Sequence, residues 1–88
     1  MTNQIAKVED VIWRQIEDET VVITADGLSL HVLNTTAAFI WELCDGTKGT
    51  EEIVSILCEH FDVAPEEAGS DVNDIIVKLE GLGLVKRI

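Results

Sequence analysis

The sequence predicts an α+β domain, a three-stranded antiparallel sheet followed by a three-helix bundle. Two observations carry that expectation. From Val11 to Leu33 the chain has the texture of strands, with Val, Ile, Thr and Trp recurring between turn signals. From Asn34 onward apolar residues recur three and four apart, the helical period. Strands first and helices after, in 88 residues without an internal repeat, leave room for one domain of packed layers.

Residues 1–10 are polar and read as a flexible N-terminus, with the domain at 11–88. In the strand region, Asp26-Gly27 is a two-residue turn signal, since a type I′ turn needs positive φ at both central positions. That turn pairs Ala25 with Leu28, Ile23 with Leu30 and Val21 with Val32. All six are apolar and share one side, which is expected to be the core face. Thr24 with Ser29 and Val22 with His31 share the other, more polar side. Upstream, a three-residue loop at Glu17-Asp18-Glu19 would pair Ile16 with Thr20 and Arg14 with Val22, and set Trp13 beside Ile23 on the core face.

Three helices follow. Asn34 or Thr35 caps the first, whose stripe is Ala37, Ile40, Trp41 and Cys44, and Asp45-Gly46 stops it. Thr50 caps the second, with Glu51 and Glu52 at its positive end and a stripe of Ile53, Val54, Leu57, Cys58 and Phe61. Pro65 opens the third at its first position. The stripe there runs Ala68, Val72, Ile75, Ile76, Leu79 and Leu82, and Gly81 and Gly83 end the helix. The tail Leu84-Val85-Lys86-Arg87-Ile88 is short, apolar and basic, fit to pack back on the domain.

Composition excludes several functions. Seventeen acidic residues against six basic ones give a net charge of −11, which repels phosphate backbones and anionic membranes. No apolar run approaches a membrane span, and the first residues lack the apolar stretch of a signal peptide. With Cys44 and Cys58 outside any Cys-x-x-Cys pair, a cytoplasmic, reduced protein is the simplest fit. Cys44, Cys58, His31 and His60 fall on three different elements without metal-ligand spacing, so no metal or cofactor is expected. Gly46 and Gly49 flank Thr47-Lys48 without the strand that a phosphate loop follows. No nucleophile signature is present, and the chain is read as a non-enzyme. A sheet with three helices also suits a winged-helix DNA binder. The third helix, however, offers Lys78 against Glu66, Glu67, Asp71, Asp74 and Glu80, so the layout is expected without the nucleic-acid function.

The run from Leu30 to Gly46, LHVLNTTAAFIWELCDG, resembles the PqqD family. So do the second helix opening Thr50-Glu51-Glu52-Ile53, the segment Phe61-Asp62-Val63, and Asp71-Val72 opening a long helix that ends Leu-x-x-x-Gly-Leu-Val. The resemblance covers roughly residues 11 to 86. It implies a small winged-helix-like, non-catalytic peptide chaperone. Such a domain binds the leader of a ribosomally made precursor peptide and presents it to a maturation enzyme, often a radical S-adenosylmethionine enzyme, in pyrroloquinoline quinone or similar biosynthesis. The leader is expected to add as a strand beside the third strand, in a groove bounded by the third helix. Carried onto this sequence, the peptide-binding residues are Leu28, Ser29, Leu30, His31, Val32 and Leu33, with Asn73, Ile76, Val77 and Glu80 as the helical wall. A two-residue turn would leave the N–H groups of Ser29, His31 and Leu33 at the open edge. The alternative is a winged-helix interaction or regulatory module that binds a folded protein or self-associates as a homodimer, through an outer sheet face with Ile12, Ile16, Val22 and Leu33.

Overall fold

The computed structural model describes residues 4–24 and 27–88. Its elements are β1 (Gln4–Lys7), β2 (Ile12–Ile16), β3 (Glu19–Ile23), β4 (Leu30–Leu33), α1 (Thr35–Leu43), β5 (Asp45–Gly49), α2 (Thr50–His60), α3 (Pro65–Gly81) and β6 (Val85–Arg87). The expected three-stranded antiparallel sheet is present in the order β2-β3-β4, followed by the three helices. A second antiparallel sheet, β5-β1-β6, joins the two ends of the domain.

That second sheet corrects the reading of the N-terminus. Gln4–Lys7 is the central strand between β5 and β6, and Ile5 is fully buried. The apolar residues Ile5, Ala6 and Val8 show no strict alternation that would mark a strand, yet tertiary pairing makes Gln4–Lys7 one. The helix-stop pair is also absorbed: Asp45-Gly46 opens β5, and Gly46 takes φ +87 where an added Cβ would lie 3.5 Å from Ala6 Cβ. The tail does pack back, as β6 pairs with β1 through Ile5 with Arg87, Ala6 with Lys86 and Lys7 with Val85.

The helices form where the stripes place them. Asn34 is the cap of α1, its side chain accepting the Ala37 N–H at 2.8 Å. Thr50 lies inside α2, whose N-cap is Gly49 without a side-chain bond, so the expected Thr50 cap is not made. Pro65 opens α3 as expected. Beyond Leu82, Gly83 is left-handed at φ +75. Its N–H bonds the Glu80 carbonyl and the Leu84 N–H bonds that of Leu79, a Schellman ending that turns the chain into β6. The core between these layers is Val22, Leu33, Ala37, Ile40, Trp41, Cys44, Ile53, Leu57, Ala68, Val72, Ile76 and Leu79, closed by Ile5, Leu84 and Val85.

The β2-β3-β4 sheet turns over relative to the expected core face. Ile23 pairs with Leu30, Val21 with Val32 and Val22 with His31, as the turn signal implies. The expected Ala25–Leu28 pair lies outside the described residues. It is the more polar row, Thr20, Val22 and Leu33, that is buried, whereas Leu30 and Val32 are 60% and 56% exposed. Counting apolar residues per row cannot anticipate this. Leu33 stands one residue before the α1 cap, which commits its side chain to the helix side; alternation then sends Val32 and Leu30 outward and His31 inward. On the other hairpin the loop is Glu17-Asp18 alone, with Glu17 at φ +55, so Ile16 pairs with Glu19, Arg14 with Val21 and Trp13 with Val22. Trp13 is on the core side as expected, but its neighbour is Val22 rather than Ile23. It meets Trp41 edge-on, with ring centroids 6.1 Å apart and planes at 82°.

Candidate functional site

Of the elements in this domain, β4 is an edge strand: it pairs with β3 and with no other described strand. Which of its backbone groups remain open follows from two independent observations. A two-residue loop makes the flanking Ile16–Glu19 pair mutually bonded, so β3 spends the backbone groups of Glu19, Val21 and Ile23 on β2. The groups of Thr20 and Val22 are then those directed at β4. At the other hairpin the Thr24 N–H donates to the Ser29 carbonyl at 3.0 Å, which makes Thr24–Ser29 a bonded pair; two residues along, Val22–His31 is bonded again. Both routes give one answer. His31 and Leu33 are tied to β3, while Leu30 and Val32 direct N–H and C=O to the open edge. The expected set, Ser29, His31 and Leu33, is therefore corrected. The Ser29 N–H is taken by Thr24 Oγ1 at 3.2 Å. The reason is the loop: the turn is closed by Gly27 N–H to the Thr24 carbonyl at 2.8 Å, one residue earlier than a two-residue turn would close it.

The open edge of β4 looks onto a groove against α3. The groove has a volume of about 290 Å³ and is lined by all four β4 residues, by Asn34 and Ala37 at the start of α1, and by Ile75, Lys78 and Leu79 of α3 with its C-cap Leu82. The chain places these together for a local reason. Asn34 caps α1 immediately after β4, so the strand cannot move off the helical layer, and α3 packs across that layer with Ala68, Val72, Ile76 and Leu79 buried.

Of the ten residues singled out in sequence, Leu30, His31, Val32 and Leu33 line this groove. Leu28 and Ser29 lie in the loop beyond it, with Leu28 84% exposed. The four helical residues stand elsewhere. Ile76 is buried in the core, Asn73 and Val77 face outward, and Glu80 pairs with Arg87 of β6 at 3.3 Å. An apolar helical stripe has two flanks, and Asn73, Val77 and Glu80 belong to the one turned toward β6. Ile75, Lys78 and Leu82 form the other flank. Their i, i+3, i+7 spacing was visible, but the rotation of α3 that sets them against β4 is fixed by packing alone.

The rest of the described surface carries little chemistry. Among the described residues no three His, Cys, Asp or Glu side chains gather as metal ligands, and no helix is long and apolar enough to cross a membrane. Cys44 is buried, its thiol donates to the Ile40 carbonyl at 3.2 Å, and burial pushes its pKa up to about 11, away from the reactive thiolate. The Lys7 ammonium sits over the Trp13 and Trp41 rings at 5.4 and 5.2 Å and donates to the Cys44 carbonyl at 3.2 Å. Desolvation lowers its pKa, and its role is to tie β1 to α1 rather than to react.

Residues 19–85 match the family of coenzyme PQQ synthesis protein D (PqqD). The chain belongs to that family. The matched span contains β3, β4, all three helices and the whole of the groove, so the PqqD assignment and the site rest on the same residues. No curated protein matches the chain. Among solved structures, this PqqD-family chain is similar to TbiB1 in complex with the TbiA(beta) leader peptide. The two are 25% identical with a TM-score of 0.83, over 92% of this chain and 94% of that one. Lasso peptide synthetase B1, complexed with the leader peptide, shares the fold at 17% identity and a TM-score of 0.83, over 94% and 98% of the two chains.

Proposed function

We propose that this protein is a non-catalytic recognition element that binds the leader of a ribosomally made precursor peptide and presents it to a maturation enzyme. The observation that carries the reading is the coincidence of two features at one place. The edge of β4 offers unpaired N–H and C=O groups at Leu30 and Val32, and a groove with apolar residues of α3 opens beside that edge. Strand addition needs both: main-chain bonds hold the peptide, and pockets for alternate side chains select it. Membership of the PqqD family supports the reading, and so does similarity to a protein solved with a leader peptide. The maturation enzyme is proposed to be of the radical S-adenosylmethionine class or another peptide-modifying class, and the site to act without metal or cofactor of its own.

The test is calorimetric titration with the leader of a precursor peptide encoded beside this gene, followed by backbone amide shifts. Binding with shifts centred on Leu30–Leu33 and on Ile75–Leu82 is expected. Binding whose shifts centre on β2 or α2 would refute the site, and no binding to such leaders would refute the function.

A second reading has its own observation. Ile12, Ile16, Leu30 and Val32 project from the outer sheet face, each more than half exposed, and form an apolar patch suited to a folded partner or a second copy. Val22 and Leu33, expected on that face, are buried in the core instead. Sedimentation at increasing concentration separates self-association from leader binding.

A further inference from the structure

The groove carries an electrostatic feature at odds with the rest of the molecule. In a chain of net charge −11, the one residue lining the groove with a permanent charge is a cation, Lys78. None of the five acidic residues of α3, Glu66, Glu67, Asp71, Asp74 or Glu80, lines it. Most other basic residues are already engaged or lie away from it. Lys7 is caged by Trp13 and Trp41, Lys48 pairs with Asp45 at 2.9 Å, Arg87 pairs with Glu80, and Arg14 stands on the outer face of β2. Lys78 makes no ion pair among the described residues, although it is surrounded in sequence by acids.

From this we infer that the groove selects a leader with a carboxylate side chain, Asp or Glu, on its groove-facing row, and that Lys78 is the residue that reads it. The inference rests on the leader-binding reading above and adds the chemistry of one leader position. Strand alternation fixes the row. A residue opposite His31 or Leu33 points into the groove with them, and a residue opposite Leu30 or Val32 joins the outer face. The acid therefore stands two residues along the strand from the apolar side chains that rest on Ile75, Leu79 and Leu82.

Range decides between the local cation and the overall acidity. At physiological salt, charges separated by more than about 8 Å are largely screened, so the distant carboxylates set only the approach of a peptide. A carboxylate at contact with the exposed Lys78 ammonium lies well inside that screening range and feels it far more strongly. The Lys78 stem suits the task, since its methylenes can cover the apolar wall while the charge stays at the rim.

A displayed library of random peptides about 12 residues long, selected against the full chain, tests the inference. Enriched peptides should share an Asp or Glu at a fixed position two residues from an apolar one. Titration of the consensus peptide and of its Gln counterpart should show the acidic form binding about tenfold tighter, the size of one charge-assisted hydrogen bond. Lys78→Met should bring the two peptides within about twofold of each other, and Lys78→Arg should keep the preference. A purely structural role at the end of α3 would lower the melting temperature without changing the ratio between the two peptides. Enriched peptides without an acidic position, or a Gln counterpart within twofold of the acidic peptide on the unmodified chain, would overturn the Lys78 assignment while leaving leader binding intact. No enrichment at all would overturn both.

Discussion

Proline placed along β4 separates the bonds that hold the fold from those that hold a leader. His31 directs its N–H at Val22, which is fully buried, so His31→Pro leaves the Val22 carbonyl without its partner and points the ring at β3. A buried acceptor left unsatisfied costs about 1–3 kcal/mol, before any clash of the ring. A domain of this size is stable by about 0.05–0.15 kcal/mol per residue, and 1 kcal/mol moves its melting temperature by about 4–8 °C. His31→Pro is therefore expected to melt about 10–20 °C lower. Val32→Pro loses no ladder bond, because its N–H faces the open edge, and its side chain is already more than half exposed. It should melt within about 5 °C of the unmodified chain. Its ring, however, occupies the line along which an added strand approaches, and one backbone bond is lost, so leader affinity should fall at least tenfold. Thermal melts followed by circular dichroism, with calorimetric titration of each variant, give both numbers. A Val32→Pro protein that melts normally and binds its leader with unchanged affinity would refute strand addition at β4. A stable His31→Pro beside a collapsed Val32→Pro would refute the bonding alternation itself.

Three further outcomes follow from the packing. Trp41 is fully buried and its indole N–H meets no acceptor among the described residues, so Trp41→Ala should cost about 3–5 kcal/mol and largely unfold the domain; Trp41→Phe, which removes that orphaned donor and keeps most of the ring, should stay folded, and equal melts for the two would refute the placement. Cys44, with its thiol raised to about 11, should react with a disulfide reagent at pH 8 far more slowly than half-buried Cys58 until denaturant is added, and equal labelling rates in the native protein would show that the α1 end is open. Glu17 holds the left-handed position of the β2–β3 loop, so Glu17→Asn should raise stability by about 0.5–1 kcal/mol, read from the urea midpoint, and a lower midpoint would mean that the glutamate side chain holds the loop by other means.

Much of this architecture was legible in the sequence, and the exceptions share a cause. Asn34 as a cap, Pro65 at the first turn of α3 and Gly83 past its end are local signals, and each works as chemistry within a few residues dictates. The β3–β4 register is also local, and Val21–Val32 and Ile23–Leu30 pair as the hairpin implies. What failed needed knowledge of the opposite layer. The face of the sheet was set by Leu33 meeting α1, not by the apolar count of Val21, Ile23, Leu30 and Val32. The wall of the groove was set by the rotation of α3, which exchanged Asn73, Val77 and Glu80 for Ile75, Lys78 and Leu82. The strand at Gln4–Lys7 needs β5 and β6, which come from the middle and the end of the chain, and no window around Ile5 contains them.

The shortness of β4 constrains how recognition is divided. Its open edge offers two N–H and two C=O groups, at Leu30 and Val32, and hydrogen bonds of this kind contribute about 0.5–1.5 kcal/mol each. Four of them amount to roughly 2–6 kcal/mol. Loss of free motion on association alone costs an estimated 4–15 kcal/mol, and micromolar binding requires a net of about 8. The edge cannot hold a leader by itself. The balance must come from side chains buried against Ile75, Leu79 and Leu82, where a fully buried Leu or Phe contributes about 1.5–3 kcal/mol. In the proposed strand addition, main-chain pairing, which is blind to sequence, would therefore fix the direction and register of the added strand, and the groove-facing row would fix which peptide is retained.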